Sequence, residues 1–502
     1  MSWLTRASGK LLITNVLPQA RMWNGERRGV QIESQEMLSA PVIAENSLIR
    51  AVSDRFRCPD GFLDFRLSEG ISPQPGYFQF GPNATCFGHT LSGSQKANLS
   101  SSLFDSLPEV LFDGGRLVLP FDPNEAIDNL RLERYPCAQL RKYERALKGI
   151  YYRFRPLTNR WLRKGVQKLR AINWEERRFP QWPVDTTVEN ICERLLLLSL
   201  QSNGIDRIPF IWFWPDGARG CVSMTHDIEA VAGCNFCDRL LDIDESFGIK
   251  ASYQVVPEEQ YPVTPQFLSR LRDRGGEVCV QDLNHDGRLF DEREKFQRRA
   301  AFINRYGREY GARGFRSAVL YRNPEWYEEL DFSFDMSIPN VANLDPQRGG
   351  CCTVFPYFIG EILELPLTTI QDYSLFHILN ERSIDLWRVQ FEMILARNGL
   401  ASFIVHPDYI IEPGTQAVYK DLLAMLVEAG RREALWFALP SEIDSWWRAR
   451  SRMSIVNDNG SWRIVGEGAE RAVLAFAKVV DGRLVYQQDH TRQGELLLSA
   501  AQ

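Results

Sequence analysis

No uninterrupted apolar run reaches the roughly 20 residues that a membrane-spanning helix needs, which excludes an integral helical membrane protein. The best early candidate, LLITNVLP at 11–18, is short and broken by Asn15, and reads against a secretory signal. Cysteine is sparse, 10 in 502 residues, too dilute for a disulfide scaffold. The one C-x-x-C, Cys234 to Cys237, lacks a second such pair or an H-x-x-H to complete a four-ligand zinc site, and reads as reduced thiols in a core. No G-x-G-x-x-G or G-x-x-x-x-G-K-[ST] follows a strand-like run, so dinucleotide and P-loop chemistry have no support. A G-x-S-x-G elbow is missing too, which disfavours a serine hydrolase. Excess positive charge is also lacking: the net charge of −5 argues against a general nucleic-acid binder. A soluble, cytoplasmic protein is the expectation.

What the chain has is size and ordinary globular composition, 44% hydrophobic, enough for two to four domains. Residues 1–205 show little regular period and read as a mixed α+β region, with turn-rich short strands around 73–106. Within 131–178, 15 Lys and Arg stand against four acids, interleaved with Tyr143, Tyr151, Tyr152, Phe154 and Trp161. This stretch reads either as a surface for an anionic glycan, nucleic acid or lipid headgroups, a peripheral membrane contact, or as a solvated helix with its rings turned inward.

From 206 to 450 the texture becomes regular. Short β-rich runs begin at Gly220, Lys250, Glu277, Gly314, Phe332, Glu361, Ala401 and Leu435. Helical patterns fill most gaps, at Asn235–Phe247, Pro265–Arg274, Arg293–Tyr310, Asp385–Arg397 and Gln416–Ala429. Strands alternating with helices imply a parallel sheet, and seven or eight right-handed crossovers favour a (β/α) barrel over a doubly wound open sheet. Residues 451–502 alternate and are punctuated by Gly and Asn-Gly, as in a small β appendage.

The barrel strands end in polar groups. The first runs into His226, Asp227 and Glu229; the third into Gln281, Asn284, His285 and Asp286; the fourth carries Arg316, the fifth Asp335, and the seventh ends at His406 and Asp408. Strand carboxyl ends share one rim, where barrel active sites lie. Any one of these groups alone is most simply a cap or turn residue; their coincidence at five strand ends argues for a site. Such a set suits metal-assisted hydrolysis: carboxylate and imidazole hold a divalent ion, a carboxylate restrained by a guanidinium takes a proton from water, and a second imidazole protonates the leaving atom.

The ordered segments THDIE, QDLNH, GFRS, FDMS and FIVHP resemble the five motifs of the polysaccharide deacetylase family, carbohydrate esterase family 4 with its NodB-homology domain, over roughly 220–440. The resemblance implies a deformed (β/α)7-8 barrel and a hydrolase of carbon–nitrogen bonds that removes an N-acetyl or O-acetyl group from a glycan or glycan precursor, and the expected cytoplasmic location points to a lipid- or nucleotide-linked one. It implies Asp227 as base, Arg316 as the group that orients it, His406 as acid and Asp335 as the acid that orients the imidazole. Glu229, His285 and Gln281 are implied as ligands of a divalent ion, zinc by preference. Gln281 stands where the family has histidine, and an amide oxygen is a weaker zinc ligand. The ion is then held more loosely, held with help from Asp282, Asp286 or His226, or lost. The proline after Arg316 and the tryptophan near Asp335 are missing as well. Asn284, Asp286, Arg322, Trp326 and Asp408 lie on the same rim as candidate substrate contacts. The competing reading is an inactive deacetylase-like barrel that binds sugar or serves as a scaffold.

Overall fold

The computed structural model describes residues 47–489 except 60, 100–101, 137–173 and 175–176. Most of the basic stretch at 131–178, and His490, therefore lie outside the described residues.

The central sheet starts with β1 (Gly220–Ile228), a strand with all nine residues buried. A strand covered on both faces cannot alternate, and GCVSMT accordingly reads as one run of apolar and small residues. Chain order then gives α1 (Val231–Ser246), β2 (Ala251–Val255), α2 (Pro265–Asp273), β3 (Glu277–Gln281), α3 (Arg293–Tyr310), β4 (Gly314–Arg316) and β5 (Phe334–Asp335). There follow β6 (Tyr357–Ile359), β7 (Ile362–Glu364), α4 (Asp385–Leu395), β8 (Leu400–Ile404), α5 (Pro413–Arg432), β9 (Leu435–Phe437) and α6 (Pro440–Arg452). Helix ends follow local chemistry: Thr264 caps α2 through its hydroxyl, with Pro265 in the first turn, and α3 ends on Gly311 at φ 60°, a left-handed position that suits glycine.

The hydrogen-bonded order is β6-β7-β5-β4-β3-β2-β1-β8. All neighbours are parallel except β6 and β7. One edge of β1 pairs with β8; the other is divided between β9 at Gly220–Val222 and β2 at Met224–Ile228. The expected parallel α/β sheet is present, curled into a partial barrel whose closure differs from a regular one. Between the segment after β7 and β8, threonine side chains bridge the strands. Thr368 Oγ1 donates to the Leu400 carbonyl (2.7 Å) and accepts from Ser402 N (2.9 Å), and Thr369 Oγ1 donates to the Ser402 carbonyl (2.8 Å). Hydroxyls there satisfy backbone groups that a regular ladder would pair.

Before the barrel, residues 47–48, 64–67, 111–113 and 116–119 form a four-stranded sheet, and 76–79 pairs with 85–88. After it, 454–458 and 461–465 form a hairpin through Asn459-Gly460, both at positive φ as a tight hairpin requires. The strand 474–480, expected in a separate appendage, instead pairs antiparallel with 207–211 as well as with 483–488. One apolar core runs from Ile49 through the barrel to Ala477. Among the described residues, no helix is long and apolar enough to cross a membrane.

Candidate active site

Residues two apart on a strand share a face, so Thr225, Asp227 and, one step past β1, Glu229 point to one side. His226 points to the other. There its Nδ1 meets the Val405 carbonyl (2.9 Å) and its Nε2 meets Asp244 Oδ2 (3.1 Å), in a pocket closed by Tyr253 and Tyr419. With both ring nitrogens occupied and no exposure, His226 is not a reserve metal ligand.

Arg316, at the end of β4, is fully buried and donates from Nη1 to Asp227 Oδ1 (2.5 Å) and Thr225 Oγ1 (2.8 Å), and from Nε to the Met336 carbonyl (3.0 Å). A guanidinium held at three points fixes the Asp227 carboxylate in orientation. Gln281 ends β3, and its Nε2 donates to Asp227 Oδ2 (3.1 Å) and Glu229 Oε1 (3.0 Å). The loop beyond places Asp282 at φ 51° and His285 at φ 57°, two left-handed residues within four positions. That turn brings His285 Nε2 to 2.7 Å from Glu229 Oε1.

His406 follows β8. Its Nδ1 lies 2.6 Å from Asp372 Oδ1, and its backbone N donates to Asp372 Oδ2 (2.7 Å). Its Nε2 faces Glu229 Oε1 at 3.5 Å. Burial disfavours charge on this imidazole, but Asp372 and then Glu229 raise it well above the ordinary histidine range. Burial works against charge on Glu229 too, and the His285 and His406 imidazoles nevertheless hold it well below the usual carboxylate range. The Glu229 side chain keeps 18% of its surface, against 4% for Asp227 and His406, so the site opens at Glu229.

Asp335 was expected to orient the imidazole, and the structure corrects this. Its carboxylate accepts from Ser337 N (2.9 Å) and Ser337 Oγ (2.7 Å) inside the barrel wall, whereas Asp372 holds His406. Asp372 escapes a search of strand ends because it lies between β7 and α4. Its only sequence signal is a carboxylate in the segment TTIQDYS, with α4 between it and the strand that leads to His406.

Two proposed substrate contacts are otherwise committed. Asp286 takes a bidentate grip from Arg299 (2.7 and 2.6 Å). Arg322 is fully buried against Glu133 (2.7 and 2.5 Å), which also accepts from Gly350 N (2.6 Å). Asn284 donates to Glu259 (3.1 Å), Trp326 packs with Phe290 and Phe296, and Asp408 lies beside Gly233 with its carboxyl pushed up by burial.

Asp227, Glu229 and His406 bring one ligand atom each within 4.8 Å of one another, a set that can hold a metal ion. The buried Gln281 Oε1 has no hydrogen-bond partner. Carboxylate oxygens, imidazole nitrogens and an unpartnered amide oxygen fit a divalent ion.

No family model matches the chain, and no curated protein matches it. Among solved structures, it is similar to a protein assigned as a polysaccharide deacetylase from Mycobacterium smegmatis, at 18% identity and TM-score 0.39, over 50% of this chain and 98% of that one. It is similar to a protein assigned likewise from Pseudomonas aeruginosa PAO1, at 14% identity and TM-score 0.38, over 47% and 93%. A third is Puue allantoinase, at 15% identity and TM-score 0.38, over 47% and 92%.

Proposed function

We propose that the chain is a carbohydrate deacetylase, a hydrolase that cleaves the carbon–nitrogen or carbon–oxygen bond of an acetyl group on a glycan or glycan precursor. The observation that carries this reading is the pairing of two oriented groups, Asp227 locked by Arg316 and His406 locked by Asp372, which with Glu229 bring one atom each within 4.8 Å of one another. A sugar-binding module has no need of a base and an acid each held by its own buried partner.

In this reading Asp227 accepts a proton from the attacking water while Arg316 keeps the carboxylate aimed at it. Water adds to the acetyl carbonyl carbon, the bond to the sugar nitrogen or oxygen breaks, and the Nε2 proton of His406 passes to the departing atom. Acetate and the free amine or hydroxyl result. Glu229, His285 and Gln281 would hold a divalent ion, which when bound supplies Lewis acidity toward water and the acetyl oxygen. Asp372 keeps Nδ1 of His406 engaged, so that the proton it gives leaves from Nε2.

Acetate release from a panel of acetylated free and lipid-linked sugars, with binding followed by calorimetry, tests the proposal. Asp227→Asn keeps the side-chain shape and loses the base, and is expected to lower turnover by about 10² or more with sugar binding retained. Wild type that binds a sugar and releases no acetate with any divalent metal, indistinguishable from Asp227→Asn, would establish the inactive sugar-binding barrel instead.

A further inference from the structure

Asp227 and Glu229 leave β1 on the same side, and each has one oxygen aimed at a common gap. Asp227 Oδ1 is neutralised by Arg316, which leaves Oδ2 facing inward, while Glu229 Oε1 already takes His285. Two carboxylate oxygens sharing one gap repel unless a cation or a donor stands between them. Here the donor is one atom: Gln281 Nε2 gives a hydrogen to each, at 3.1 and 3.0 Å, from a side chain with no exposure. Turned the other way, the amide would put a third acceptor against two anions. The orientation leaves Gln281 Oε1 buried without a partner.

We infer that Gln281 is the residue that sets the ion dependence of this site: its amide bridges Asp227 and Glu229 as a cation would, so the site is assembled without an ion, and an ion binds only by displacing that bridge. A histidine at this position offers one nitrogen to the gap and can donate to only one carboxylate at a time, so it leaves the pair to be held by metal. Glutamine delivers two donors from one nitrogen. To serve as a ligand, its amide must turn over, present Oε1 and give up both hydrogen bonds, which weakens ion affinity twice: through the poorer ligand and through the bonds lost. The inference rests on the proposed site and not on its reaction.

The test uses the purified full chain, thermal melting in chelator and in zinc, and calorimetric titration with zinc alone. Wild type is expected to purify without stoichiometric metal, to melt at the same temperature with and without chelator, and to bind zinc weakly. Gln281→Glu keeps the shape, removes both donors and adds a third carboxylate. It is expected to melt lower in chelator, to recover on adding zinc, and to bind zinc about tenfold or more tighter than wild type. If Gln281→Glu does not fold in chelator, the same change in an Asp227→Asn background, where one of the bridged charges is gone, is expected to fold and to melt close to Asp227→Asn alone. A wild type that loses stability in chelator, or a Gln281→Glu variant that matches wild type in both melting and zinc affinity, overturns the inference. Turnover enters neither measurement, so a chain that releases no acetate still gives a result here, and an ion-dependent wild type would leave the deacetylase reading standing.

Discussion

Two pairs of acids stand at the carboxyl ends of barrel strands, and they are in opposite states. Asp227 and Glu229 at the mouth are surrounded by Arg316, His285, His406 and the Gln281 amide, and Glu229 is held well below the carboxylate range. Asp335 and Glu364 are register partners on β5 and β7, fully buried. They meet Ser337 and the Ile338 N–H, and the Arg322 guanidinium in reach is committed to Glu133. Burial raises both, Glu364 further still because the Asp335 charge lies beside it. The second pair is a buried structural element of the wall. A strand-end acid is thus chemically undefined until the groups facing it are known: imidazoles hold Glu229 low, and burial raises the acids of the wall pair.

The comparison breaks most sharply if the mouth loses its cation. Arg316→Met should leave Asp227 buried and uncompensated, in the condition of Asp335, and cost about 3–5 kcal/mol of stability in denaturant unfolding. A loss below 1 kcal/mol would show that Arg316 does not set the state of Asp227.

The next contrast concerns turnover. Asp372→Asn keeps the hydrogen-bonding shape but removes the charge behind His406, and should lower acetate release by about 10²-fold at neutral pH while sparing binding. Asp335→Asn should leave kcat and its pH profile unchanged. Equal losses in the two variants would return Asp335 to the site.

The gentlest test is of pH. A carboxyl whose folded value is raised holds its proton longer in the native state than in the unfolded chain. The stability contributed by the Asp335–Glu364 pair is therefore full below the unfolded carboxylate range, near pH 4, and is lost as pH rises from there toward the folded value. Glu364→Gln cannot lose a proton and should flatten this decline in melting temperature, whereas Glu229→Gln should not. Parallel declines in wild type and Glu364→Gln would show that the wall pair is not the source.

Much of the barrel was legible in advance, for a local reason. Strands covered on both faces show as short apolar runs, and the polar residue that ends each run marks the rim, which brings Asp227, Arg316 and His406 together without further information. The replacement at Gln281 was visible only against the motif of the family that the sequence resembles, which has histidine there. Its role as a two-handed donor was not, because that depends on where the second hydrogen goes.

What remained hidden depends on partners distant in the chain. Arg322 reads as a rim cation, yet its guanidinium is taken by Glu133, 189 residues earlier. Asp372 reads as a loop acid until β8 sets His406 against it, and Asp335 reads as a rim acid until β7 brings Glu364 alongside. Residue order dictates which groups reach the rim, since strand periodicity and burial are written into neighbouring positions. The charge each group carries there, and so the chemistry it performs, comes from folding, because a pKa is set by burial and by facing groups that chain order does not specify.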